Sequence, residues 1–142
     1  MSLANRYRGG EGLVLQWITS GGTFTMSDDY TTFDVDKSID LIEVTAGSEA
    51  DKVFVNGIKD GSAKLTFYAQ GAGGTANEAQ LVEGTAGTLV YSPRGTASGK
   101  PKRGFAAIIK SGNEKWPNDE AAEVSVEWQK QGAMVYAVPT TW

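Results

Sequence analysis

The chain has 142 residues, 40% of them apolar and 21% charged, which is material for a single domain with one core and too apolar for wholesale disorder. It contains neither cysteine nor histidine, which excludes a disulfide framework, a thiol nucleophile, a thiolate metal site and the usual base near neutral pH. The net charge is −4, the wrong sign for a surface that grips phosphate backbones, although an acidic wall would keep passing DNA from sticking.

Residues 1–12 are polar and include Gly9-Gly10, and are expected to form a flexible arm ahead of a single domain over 13–142. Met1 to Arg6 carries no apolar run after its basic residues and does not read as a signal peptide. No stretch approaches membrane-spanning length. Leu13 to Thr19 alternates with Leu13, Leu15 and Trp17 on one face, and Thr23 to Met26 returns as its hairpin partner. The segment 27–38 mixes acidic and hydroxyl residues with two aromatics and no clean period, so most of it is expected to be a projecting loop or bent hairpin.

Ile39 to Thr45 and Lys52 to Val55 are short strands, with a turn expected at Asn56-Gly57. Ser62 to Ala69 alternates cleanly, with Ala63, Leu65, Phe67 and Ala69 facing a core. Thr75 caps an expected helix through Glu83, with Glu78 in the capping-box position and Gly84 as its stop. Strands follow at Gly87 to Ser92, at Arg103 to Lys110 with a close at Ser111-Gly112-Asn113, at Glu123 to Gln129 and at Ala133 to Val138. Seven to eight short strands with one brief helix predict a mainly β domain, a small antiparallel barrel or sandwich.

Several groups invite a chemical reading. Gly71-Ala72-Gly73-Gly74-Thr75 lacks the lysine and glycine spacing of nucleotide loops and reads as a flexible link. Asp28, Asp29, Asp34 and Asp36 match no calcium-loop spacing; together with Tyr30 and Phe33 they read better as a solvated loop facing another copy. Asp119, Glu120 and Glu123 are a turn rather than an acid/base pair. Arg94, Lys100, Lys102, Arg103 and Lys110 form a basic patch that suits pairing with an acidic neighbouring subunit better than nucleic-acid binding, and otherwise reads as a solvated loop. Trp17 and Trp128 lie on apolar strand faces and belong to the core. Tyr7, Tyr68, Trp116 and Trp142 have no evident home within the chain and are interface candidates. A sugar platform would use the same rings, but no convergent amides and carboxylates accompany them. No cofactor or metal site is expected, and an enzyme is the weakest class.

The order of elements resembles the major tail tube proteins of long-tailed bacteriophages. The resemblance rests on Ile42 to Gly47, on Phe54-Val55-Asn56-Gly57-Ile58-Lys59-Asp60-Gly61 leading into the strand ending at Phe67, on the helix, on Gly87 to Pro93, and on Arg103 to Ile109 followed by Asn118 to Trp128. It covers about Ile42 to Ala133, and the arm from Asn5 to Gly12 falls outside it. It implies hexameric rings that stack into a tube, with 27–38 reaching the adjacent ring and double-stranded DNA passing the lumen without specific binding. It also implies a tail tip or initiator, a tail terminator and a tape measure protein as partners, and a place in the virion tail after synthesis in the host bacterial cytoplasm. The alternatives are another component of the same barrel, such as a terminator, a hub element or a secretion-machine tube, and, further off, a carbohydrate-binding β-sandwich.

Overall fold

The computed structural model describes residues 12–26, 30–69, 81–96 and 99–137. Eight strands follow in order: β1 (Val14–Thr19), β2 (Gly22–Thr25), β3 (Tyr30–Glu43), β4 (Phe54–Tyr68), β5 (Ala86–Ser92), β6 (Lys102–Lys115), β7 (Glu123–Lys130) and β8 (Val135–Ala137). They make one antiparallel sheet in the order β2-β1-β5-β6-β7-β4-β3, with β8 laid against the start of β6. The mainly β expectation is borne out.

Alternation places the core. Ala63, Leu65 and Phe67 of β4 and Val124, Val126 and Trp128 of β7 are buried, while the residues between them face outward. Leu15 and Trp17, Leu89 and Tyr91, and Phe105, Ala107 and Ile109 supply the rest from β1, β5 and β6, together with Met26 just after β2. Trp17 and Trp128 meet with ring centroids 5.7 Å apart, although β5 and β6 separate their strands in the sheet. Phe33 on the far edge strand meets Tyr91 edge-on at 5.3 Å. The sheet therefore curls until its two ends share one interior. The two buried indole N–H groups have no hydrogen-bond acceptor, a cost of about 1–3 kcal/mol each that burial of about 150–250 Å² per ring offsets.

Three expectations change. From Tyr30 onward the segment expected as a loop over 27–38 is strand, paired with β4 from Tyr30↔Phe67 to Glu43↔Phe54. Its acidic and hydroxyl residues sit on the outer face while Phe33 and Val35 pack on the core, so a half-buried strand was hidden by polar residues at every second position. The turn expected at Asn56-Gly57 is also strand. A Cβ on Gly57 would lie 3.0 Å from the Asp40 carbonyl oxygen and one on Gly61 3.0 Å from that of Asp36. These glycines permit close approach of β3, Gly57 at the bulge between Ile39 and Leu41 and Gly61 opposite Lys37, instead of reversing the chain. β6 likewise does not stop at Ser111-Gly112-Asn113 but runs on to Lys115, held by pairing with β7.

No helix occurs among the described residues. Most of the helix expected over 75–83 lies outside them, and its described end, Leu81 to Gly84, is a non-helical stretch and a turn. The terminal arm, residues 1–11, also lies outside.

At Gly87 β5 lies tight against β1: a Cβ there would collide with the Ile18 carbonyl oxygen and stand 3.1 Å from the Trp17 ring. Gly87→Ala is expected to destabilise the fold by about 1–3 kcal/mol, whereas Gly47→Ala, with nothing within 4 Å, leaves the midpoint nearly unchanged. Thermal denaturation of both variants checks this.

Candidate assembly surfaces

β4 pairs with β7 only from Ser62 to Tyr68, so among the described residues Phe54 to Gly61 has β3 as its one strand partner. The distal parts of β3 and β4, joined by 44–53, thus leave the sheet as a two-stranded arm. Directly paired residues share a face. Ile42 and Val55 lie on one face and Leu41 and Phe54 point to the other. Val44, whose N–H donates to the Val53 carbonyl at 2.8 Å, continues the first face. All of these side chains are exposed, and Ile58 beside the bulge is 79% exposed. A ribbon of two strands is marginal alone in water, and one that is apolar on both faces has an uncovered surface on each side.

The tip of the arm is nonetheless ordered by its own hydrogen bonds. The Val53 N–H donates to Thr45 Oγ1 at 2.8 Å, the Thr45 hydroxyl lies 3.3 Å from Glu43 Oε1, and the Glu49 N–H donates to the Ala46 carbonyl at 3.0 Å.

At the base of the arm lies a groove of about 420 Å³ between β3, β4, the end of β7 and β8. Lys37, Lys59 and Lys130 line it, over a floor that includes Ile39 and Met134. Tyr136 forms one wall: Lys37 Nζ donates to its hydroxyl at 3.3 Å, and the Arg103 guanidinium stands 5.5 Å from its ring centroid. Asp60, the one carboxylate in the lining, already accepts from the Gly61 N–H at 2.8 Å and from Gln129 Nε2 at 2.7 Å.

The residues singled out from sequence scatter. Asp28, Asp29, Tyr7 and Trp142 lie outside the described residues. Tyr30 and Phe33 do not project on a loop but are partly buried against the core; Asp34 and Asp36 are exposed on the outer side of β3. Tyr68 and Trp116 are exposed, Trp116 by 63%. The basic patch is not one surface. Arg94 and Lys100 sit in the β5–β6 connection, whose shape is set by buried Ser92, with Oγ against the Gly95 and Pro101 carbonyls, the latter at 2.8 Å. Arg103 turns to Tyr136, and Lys110 is about 26 Å along the strand from Lys102, beside Glu127 at 3.8 Å. The arm's apolar residues were passed over in sequence because consecutive pairs such as Leu41-Ile42 and Phe54-Val55 also describe a strand buried on both faces.

No family model matches the sequence, and no curated protein matches it. Solved structures do match in shape. A chain of the SPP1 tail tube superposes with a TM-score of 0.72 at 14% identity, covering 95% of this chain and 82% of that one. A chain from the C6-symmetric tail of an empty gene transfer agent particle gives 0.70 at 13% identity, covering 92% and 99%. A chain of the anti-feeding prophage baseplate gives 0.67 at 9% identity over the full length of both. In fold the chain is a β domain of the tail-tube type.

Ser92→Ala is expected to cost about 1–3 kcal/mol by leaving the loop carbonyls without their donor, read by chemical denaturation, with increased proteolysis confined to 93–101.

Proposed function

We propose that this chain is the repeating subunit of a phage-type tail tube, in which copies join side by side into rings of six and the rings stack into a hollow conduit for double-stranded DNA. The observation that carries the reading is the arm, apolar on both faces and bare in the single chain, on a domain whose fold matches tail-tube chains. An uncovered two-faced ribbon is a costly surface in water unless other copies cover it.

Two further features support it. The outward side of the central strands is polar, with Lys64, Thr66, Ser125, Glu127 and Gln129 interleaved between the core positions and Thr66 bonded to Ser125 at 3.1 Å. That side suits a hydrated wall, and the net charge of −4 disfavours adhesion of DNA to it. The outer edges of β2 and β3 carry no further strand among the described residues, and pairing them between copies would extend one sheet around a ring. Function in this reading is geometry and repeated contact, without bond-making chemistry. A tail tip or initiator, a terminator and a tape measure protein are the expected partners in the virion tail.

A second reading, a baseplate or terminator component of the same fold, is favoured by the full-length match to the anti-feeding prophage baseplate chain. Electron microscopy of the purified chain at rising concentration separates the two: hollow filaments are expected for a tube subunit, single rings for a baseplate or terminator component, and a persistent monomer would overturn both. Leu41→Ser with Ile58→Ser is expected to abolish filaments while shifting the thermal midpoint by only about 2 °C, since both side chains are exposed in the single chain.

A further inference from the structure

We infer that the tip of the arm of one copy seats in the basic groove at the base of the arm of the next, so that one element carries both halves of the contact that propagates the assembly. The inference rests on the self-assembly reading and adds to it which surfaces meet.

The first argument is charge. The groove gathers Lys37, Lys59 and Lys130 against a single carboxylate, Asp60, in a chain that is acidic overall, which leaves the lining with an excess of positive charge. Lys130 is held in place because its stem crosses Gly61, where a Cβ would lie 3.1 Å from Lys130 Cδ. The tip presents the opposite sign: Glu43, Glu49 and Asp51, with Lys52 as its one cation. Complementary patches of this kind steer encounter and fix register between copies.

The second argument is apolar fit. Ile39, Met134 and the Tyr136 ring give the groove an apolar side, and Val44 and Val53, which share one face of the arm, give the tip one to match. The hydrogen bonds around Thr45 hold the tip in shape before it docks, which lowers the ordering cost of binding.

The third is geometry. From Ile39 in the groove to Val44 at the tip the strand runs about 17 Å away from the groove, and the ladder of β3 with β4 keeps it extended. A tip cannot reach the groove of its own chain. Knob and socket are different surfaces of one molecule, so the contact is head-to-tail, and such contacts close into rings or continue as stacks.

The absence of cysteine from the chain allows a clean trap. Glu49→Cys and Lys59→Cys are made in separate chains, mixed and oxidised. A cross-linked dimer is expected at least about tenfold more abundant in the mixture than in either variant alone, and no enrichment on mixing would overturn the pairing. As a second measurement, Lys59→Glu with Lys130→Glu, and separately Glu49→Lys with Asp51→Lys, should each raise the concentration needed for assembly by at least about tenfold. All four changes in one chain should bring it back to within about threefold. Assembly of either double variant at the concentration of the unsubstituted chain would also overturn the pairing. Micrographs of the unsubstituted chain separate the two levels: filaments without cross-linking remove the knob-and-socket contact and leave the tube reading standing, whereas a persistent monomer removes both.

Discussion

One ladder of backbone hydrogen bonds organises the molecule: β3 runs antiparallel to β4 from Tyr30↔Phe67 to Glu43↔Phe54, interrupted only by a shift near each end. Its lower half is fixed by burial, since Phe33 and Val35 opposite Leu65 and Ala63 close the interior, and register in a half-buried strand is strongly specified because a slip of one residue would expose the whole apolar face. Its upper half has no interior beneath it and inherits direction and register from the lower. The arm projects because the same two strands are simultaneously part of the core.

That continuity explains why the surfaces of interest lie together. A strand that leaves a curled sheet must have a last supported residue, and here it is where β7 ends beside Gly61. The groove forms at this step, bounded by the last residues of β7, by β8, and by the first unsupported residues of the arm. The glycines at 57 and 61 have their role at the same place. Gly61 lets the Asp36 carbonyl and a lysine stem approach more closely than most Cβ contacts allow, and Gly57 does the same for Asp40 a few residues on, where the bulge between Ile39 and Leu41 falls.

The interior shows the complementary economy. Trp17 and Trp128 accept unpartnered indole N–H groups in exchange for joining strands that are not neighbours in the sheet. Among the described residues no further strand lies outside β2 or β3, and open sheet edges are what single soluble domains usually blunt. The sheet edges, the exposed apolar arm and the lysine-lined groove are three surfaces of this chain open to contact.

Much of this was legible from residue order. Strict alternation at Ala63-Leu65-Phe67 and Val124-Val126-Trp128 determined strand, face and core together, because period-two burial admits only one reading, and the composition determined that cysteine and histidine chemistry is absent. The resemblance carried by Phe54 to Gly61 and Arg103 to Ile109 led to the correct fold type while mistaking the local form of Gly57 to Gly61, since glycine marks both turns and close strand approach. Polar alternation at Asp34 and Asp36 read as a loop, and only the pairing with β4 shows it to be the outer face of a strand. What tertiary structure alone decided was exposure. Leu41, Ile42, Phe54 and Val55 have the sequence of a buried strand, and whether such a strand is covered depends on where β7 stops, a property of the whole sheet that no local pattern encodes.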